Sequence, residues 1–234
     1  MEKKIFRIES ITSCGGSVKL FVLFPEDGKN ISFSPGQFAT LHQLEGENFG
    51  KLSRPYSISS SPLDAGLRFM IKITGGQFTS MLDKMKEGEL LGVMGPFGHF
   101  AYSGGNDVVC IAAGTGVAPM LGILEHVSKT GLTGRFTLFY SNKKQEWVAG
   151  RQILDLLENA NSGIKVVYTL TQEQPEGWKH ELGRINSEMV KKHAPYAPSA
   201  KVFICGPMEF AKSMREIALG LGASQKDVIS EAWG

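Results

Sequence analysis

The chain has 234 residues, 42% hydrophobic and 21% charged, which suits a packed core in one large or two modest domains and excludes a disordered chain. Its net charge of +2 comes with no basic run, which argues against a nucleic-acid binder. No apolar run approaches a membrane span, and Met1 to Ser10 begins with charges and has no signal-peptide core, so the expected setting is soluble and cytoplasmic.

The first hundred residues read as β structure. Short runs rich in Ile, Val, Phe and Leu fall at 3–12, 17–24, 37–42, 54–59, 67–73 and 89–94, separated by turn clusters such as Glu26-Asp-Gly28 and Ser34-Pro-Gly36. One helix interrupts them, at about 77–85. This pattern predicts a small, closed, six-stranded antiparallel barrel of Greek-key type, which leaves no exposed sheet edge. A boundary is expected near Tyr102 to Asn106, giving domains 1–102 and 103–234. Beyond it strands and helices alternate. Strands are predicted at 108–113, 135–140, 165–170 and 201–205, with helices at about 119–128, 152–159, 186–193 and 209–221. Alternation of this kind implies a parallel, Rossmann-like α/β sheet with helices on both faces.

Several segments carry chemistry. Ala113-Gly-Thr-Gly-Val-Ala-Pro119 follows a buried-type strand and opens a helix. Gly114 and Gly116 permit a tight turn and close approach of a ligand, and the helix start offers free N–H groups to a pyrophosphate. Pro119 costs no donor in a first helical turn. Alone, the segment is either such a site or a tight turn of any α/β protein. Cys205-Gly-Pro-Met208 ends a later strand and points at the same rim, although a lone buried cysteine is more often a small hydrophobe. Gly75-Gly-Gln-Phe-Thr79 begins the helix of the first half, a second anion-type start. Gly95-Pro-Phe-Gly-His-Phe100 reads as a turn closing the last strand of the barrel. Arg54 can fork onto two phosphate oxygens or be a surface arginine. Cys14, Cys110 and Cys205 are too scattered for a metal cluster, so no bound metal is expected.

Taken together, these segments resemble the ferredoxin–NADP reductase superfamily over essentially the whole chain. Arg54-Pro-Tyr-Ser57 is similar to its flavin signature, and Gly75-Gly-Gln-Phe-Thr79 to its flavin-pyrophosphate motif, with Thr79 in place of Ser. Gly95-Pro-Phe-Gly-His-Phe100, Gly114-Thr-Gly-Val-Ala-Pro119 and Cys205-Gly-Pro207 match further motifs in the right order. The resemblance implies FAD as cofactor and NADPH or NADH as hydride donor. It implies that Arg54 holds the flavin phosphate, Pro55 belongs to the cofactor seat, Tyr56 packs on the isoalloxazine, and Ser57 hydrogen-bonds its N5. Ile71, Lys72 and Gly75, Gly76, Gln77, Phe78 and Thr79 complete the flavin seat. Gly114, Thr115, Gly116 and Pro119 hold the dinucleotide pyrophosphate, and Ser141, Asn142, Lys143 and Arg151 its adenosine end. Cys205, Gly206, Pro207 and Met208 lie beside the nicotinamide. The ending Glu231-Ala-Trp-Gly234 is similar to the family's Glu-x-aromatic tail. Trp233, where Tyr or Phe is usual, would cover the flavin face, with Glu231 as a proton relay. The catalytic set implied is Ser57, Cys205, Glu231 and Trp233.

Lys143, Lys144 and Arg151 favour NADPH through its 2′-phosphate, whereas Glu146 opposes it. The expected acceptor is a separate protein such as a ferredoxin, a flavodoxin or an oxygenase component, and the expected state is a monomer. The alternatives are a flavin reductase that uses free flavin as substrate, and a non-catalytic electron-transfer subunit of a larger complex.

Overall fold

The structure is a computed structural model that describes residues 1–233. Strands β1 (Glu2–Ser13), β2 (Val18–Pro25), β3 (Phe38–Glu45), β4 (Asn48–Ser57), β5 (Leu67–Lys72) and β6 (Leu90–Phe97) form one antiparallel sheet. Their order is β4-β3-β6-β1-β2-β5, so β6 inserts between β3 and β1 in Greek-key fashion. An antiparallel bridge between Ile58 and Phe69 joins the two end strands and closes the barrel. Alternate residues point inward, as the two-residue period of a strand demands: Phe6 and Ile8, Phe21 and Leu23, Leu91 and Val93 are all buried. Helix α1 (Gln77–Lys84) adds Phe78 and Leu82 to the same core. Each such side chain contributes about 2 kcal/mol of burial.

Two expectations about the barrel change. β4 begins at Asn48 and not near residue 54, because Gly46, at φ +64°, makes a tight hairpin that pairs Glu45 with Asn48. The early part of β4 sets Phe49 and Leu52 among Asn48, Gly50, Lys51 and Ser53, which breaks its apolar signal. The Gly95-Pro-Phe97 segment continues β6 and is strand, with Gly95 paired to Glu2 and Phe97 to Phe38.

The second half contains β7 (Asp107–Ala113), α2 (Val117–Thr130), β8 (Arg135–Asn142), α3 (Arg151–Ala160) and β9 (Ile164–Leu170). Then come β10 (Glu181–Leu182), α4 (Ser187–His193), β11 (Lys201–Pro207), α5 (Met208–Gly220) and β12 (Val228–Trp233). The sheet is parallel throughout, in the order β10-β9-β8-β7-β11-β12. Helices α2 and α3 bury Val117, Leu121, Leu124 and Leu154 on one face. α4 and α5 bury Met189, Val190, Ala211 and Met214 on the other. Gly131, at φ +64°, ends α2, and the Asn186 side chain accepts from the Met189 N–H at 2.9 Å to begin α4. β10 and β12 are strands the sequence pattern does not predict; β12 turns the C-terminal tail into a sixth strand. At the outer side of β9 the Val166 N–H donates to Glu158 Oε1 of α3 at 2.9 Å.

The halves share a core. Val18, Met70, Phe100 and Tyr102 pack into the apolar cluster of the parallel sheet. Phe100 meets Phe203 edge-on at 5.3 Å between ring centroids. The loop between β1 and β2 is pinned to the loop before α3: Gly150 N–H donates to the Cys14 carbonyl and Gly16 N–H to that of Glu146, both at 2.8 Å. Among the described residues no helix is long and apolar enough to cross a membrane, and no three potential metal ligands converge.

Candidate functional site

β7 and β11 are neighbours, and the chain leaves them toward opposite faces through α2 and α5. This is a topological switch point, where open α/β sheets bind ligands at the carboxyl ends of their strands. The turn Gly114–Gly116 lies there. Gly114 has φ +53°, and a β-carbon on it would meet nothing within 4 Å. Gly116 is the opposite case. Its β-carbon would lie 2.2 Å from the Cys205 carbonyl oxygen and 2.9 Å from the Trp233 ring. The glycine turn, the end of β11 and the end of β12 are thus in direct contact. Pro119 is buried in the first turn of α2.

Parallel pairing sets Cys205 beside Glu231, and Pro207 beside Trp233. Cys205 is fully buried inside β11, which continues to Pro207, and its thiol is pushed up first by burial and then by Glu231. Burial also raises the Glu231 carboxyl, and its Oε2 is buried without a partner among the described residues. Trp233 is 41% exposed, so the ring leans on the glycine turn with one side open. Gly206 is buried, and Pro207 and Met208 are exposed at the rim.

The barrel meets the same turn through one strand. β5, which ends at buried Ile71 and exposed Lys72, lies against the Gly114–Gly116 turn. Arg54 and Pro55 are exposed near the end of β4, and the Arg54 guanidinium donates to the Ser53 carbonyl at 2.8 Å. Tyr56 is half-buried and stacks on Phe78 at 6.1 Å; burial lifts its phenol to about 12 against the opposing pull of Arg54. Ser57 ends β4, half-buried and paired with Phe38. At the start of α1, among the described residues, the N–H groups of Gln77, Phe78 and Thr79 meet no acceptor. The Thr79 hydroxyl donates to the Gly76 carbonyl at 3.1 Å and accepts from the Thr74 N–H at 3.3 Å, so it orders the loop. Beside exposed Gly75 there is open space, and a β-carbon on Gly76 would find the Thr74 and Thr79 hydroxyl oxygens at 3.8 and 3.9 Å. Free donors over open glycines form a cradle that fits a pyrophosphate, and the residues present therefore fit FAD.

At the far end, Ser141 and Asn142 are buried at the end of β8, and Lys143 and Lys144 are exposed after it. Lys144 lies over the Trp147 ring at 5.7 Å. Arg151 is engaged elsewhere: its guanidinium sits between Tyr168 at 5.2 Å and Trp178 at 5.4 Å, pairs with Asp155 at 3.6 Å and meets His180 at 3.2 Å. Lys143 and Lys144 are the exposed cations directly after β8. Sequence reading passed over Gly122 and Arg68, whose contacts between the two halves follow no motif.

Two family models match in succession: an oxidoreductase FAD-binding domain over residues 6–102 and an oxidoreductase NAD-binding domain over residues 110–216. The chain belongs to the ferredoxin–NADP reductase family of NAD(P)H-dependent flavoprotein oxidoreductases. Among its relatives, NADH-cytochrome b5 reductase 2 of Mycosarcoma maydis is 33% identical over 162 residues, covering 66% of this chain and 46% of the relative. This chain therefore spans less than half the length of that relative. Ferredoxin–NADP reductase B of Sorangium cellulosum is 29% identical, with 88% of each chain covered. Among solved structures, the FAD/NAD-binding domain of nitric oxide dioxygenase from Vibrio cholerae O1 biovar El Tor superposes with a TM-score of 0.88 at 23% identity. It covers 99% of this chain and 98% of that one, and shows the shared fold.

Proposed function

We propose that this chain takes hydride from NAD(P)H onto bound FAD and hands the electrons to a separate carrier protein, with residues 1–102 seating the flavin and 103–234 the dinucleotide. The observation that carries this reading is the contact of the Gly114–Gly116 turn with Cys205, Trp233 and β5, the strand that leads into the Gly75–Thr79 loop. Bound flavin supplies the chemistry, since it accepts two electrons as hydride and can release them singly.

The protein's part is placement. Arg54 neutralises the flavin phosphate, the α1 N–H groups hold the pyrophosphate, and Tyr56 gives the ring a flat wall. Ser57 offers a hydroxyl to the reacting edge. Gly114 to Gly116 grip the dinucleotide, and the Cys205 side of β11 abuts the nicotinamide. Trp233 excludes water from the flavin face and gives way to the nicotinamide. Glu231, with its raised affinity for a proton and an unpaired oxygen, holds a proton near the reacting rings. No strong nucleophile is required, because alignment and water exclusion supply the rate. The names of the relatives point to a haem or iron–sulfur protein as acceptor.

The test is a spectrum of the purified protein during anaerobic titration with NADPH and NADH, followed by identification of the released flavin. Bleaching of a tightly held FAD, and NAD(P)H oxidation with a ferricyanide acceptor, are the expected results. Flavin that is lost on dilution and consumed as a substrate points to the free-flavin reductase, and bound flavin that neither nucleotide bleaches points to a non-catalytic subunit. Comparison of kcat/KM for the two nucleotides decides the donor. Gly76→Ala adds a control: a methyl group here would meet only ordinary contacts, so the flavin-free protein should melt nearly unchanged, while FAD affinity falls about tenfold as the cradle fills.

A further inference from the structure

Hydride transfer needs the two ring systems held at a fixed spacing, yet the flavin motifs lie on the barrel and the dinucleotide motifs on the parallel sheet. One joint between them starts at the flavin strand itself. The chain leaves Ser57 as Ile58-Ser59-Ser60, and α2, which begins at the dinucleotide turn, crosses this segment at Gly122. A β-carbon on Gly122 would lie 2.9 Å from the Ile58 carbonyl oxygen and 3.1 Å from that of Ser60. Both are main-chain atoms, so the helix cannot yield to a methyl group by moving a flexible side chain.

One turn along α2, Glu125 closes the joint with charge. The Arg68 guanidinium of β5 pairs with the Glu125 carboxylate and donates to the Ser59 carbonyl at 2.8 Å. The Arg68 carbonyl accepts from the Ser59 N–H at 2.8 Å and the Ser59 hydroxyl at 2.9 Å. Both ionic side chains are largely buried, at 17% and 12% exposure. An ion pair shielded from water and tied to main-chain atoms holds a geometry that a solvated pair does not.

We propose that Gly122, Arg68 and Glu125 are positioning residues that set the spacing between the flavin seat and the dinucleotide seat. The proposal rests on the reading of the site as a flavin–nicotinamide reductase. Gly122 sets how closely α2 approaches the strand that follows Ser57, and the Arg68–Glu125 pair fixes the helix along that strand. None of the three touches the reacting atoms; they act through residues 57–60 and the turn 114–116.

The experiment compares wild-type holoprotein with Gly122→Ala and Glu125→Gln. Stopped-flow reduction gives the hydride-transfer rate, and the long-wavelength absorbance of the stacked nicotinamide–flavin pair reports ring overlap. Flavin content, nucleotide Kd and Tm are measured alongside, and crystal structures give the distance from Gly122 Cα to the Ile58 carbonyl carbon. In Gly122→Ala, that distance should lengthen and the stacking absorbance fall, with hydride transfer slowed about tenfold to a hundredfold while flavin content and nucleotide Kd hold. Glu125→Gln adds no volume and should show the same pattern more weakly; it carries the test if Gly122→Ala does not fold. Unchanged transfer and absorbance in a folded variant overturn the proposal, as do losses confined to Tm or nucleotide Kd. A wild-type flavin that neither nucleotide reduces overturns the functional reading itself, and the positioning role with it.

Discussion

At the scale of the residue, Glu231 is the most informative side chain. Burial raises its carboxyl above the ordinary carboxylate range, and one oxygen is enclosed without a donor among the described residues. At low pH the folded and unfolded chains both carry the proton. As pH rises, the unfolded chain releases it first, so ionisation favours unfolding until the pH passes the folded value. Glu231→Gln should therefore melt a few degrees higher than the wild-type protein at about pH 8, with the difference vanishing toward about pH 4 in calorimetry. If Glu231 also holds a proton for the reaction, the same variant flattens the pH profile of reduction. The Glu-x-aromatic ending flagged this residue, but the sequence could not show that β12 aligns it with Cys205 across one strand pair.

At the scale of the element, single glycines at the ends of the parallel strands can tolerate no added atoms, whether or not a ligand binds there. A β-carbon on Gly116 would strike the Cys205 carbonyl at 2.2 Å; one on Gly134, where the chain enters β8, would strike the Asn106 carbonyl at 2.1 Å. Gly116→Ala and Gly134→Ala should each cost about 3 kcal/mol in denaturant unfolding. Nucleotide titration separates them, since the Gly116 variant should also bind NAD(P)H more weakly and the Gly134 variant should not.

The same contrast shows what the sequence made legible. Gly114 and Gly116 were readable because a glycine pair between a strand and a helix has a local physical cause. The alternating barrel strands and the four long parallel strands were readable through their periodicity. β10 is too short to carry a period. The polar early residues of β4 hid its start, and β12 reads as a tail until it finds β11. Arg151 looked like a free cation in sequence; its place between Tyr168 and Trp178 depends on residues 17 and 27 positions away, which no local pattern encodes.

At the scale of the whole molecule, the joint between barrel and sheet is a core in its own right. Val18, Met70, Phe100 and Tyr102 belong to the apolar cluster of the parallel sheet, so separating the halves would expose buried aromatic surface. The full chain should unfold in one calorimetric transition, with the van't Hoff enthalpy matching the calorimetric one. An isolated 103–234 fragment should melt lower and expose dye-binding apolar surface. Two resolved transitions in the full chain would show the halves to be independent.

The Glu158 contact on β9 bears on how copies of this protein coexist. A parallel sheet that ends in a long strand offers main-chain donors to any stray strand in solution. Here β10 covers the end of β9, and the Glu158 carboxylate takes the Val166 N–H that an incoming strand would need. Lys165, exposed next to it, adds a charge. This edge of the sheet is thereby hindered from pairing with a strand of a second molecule.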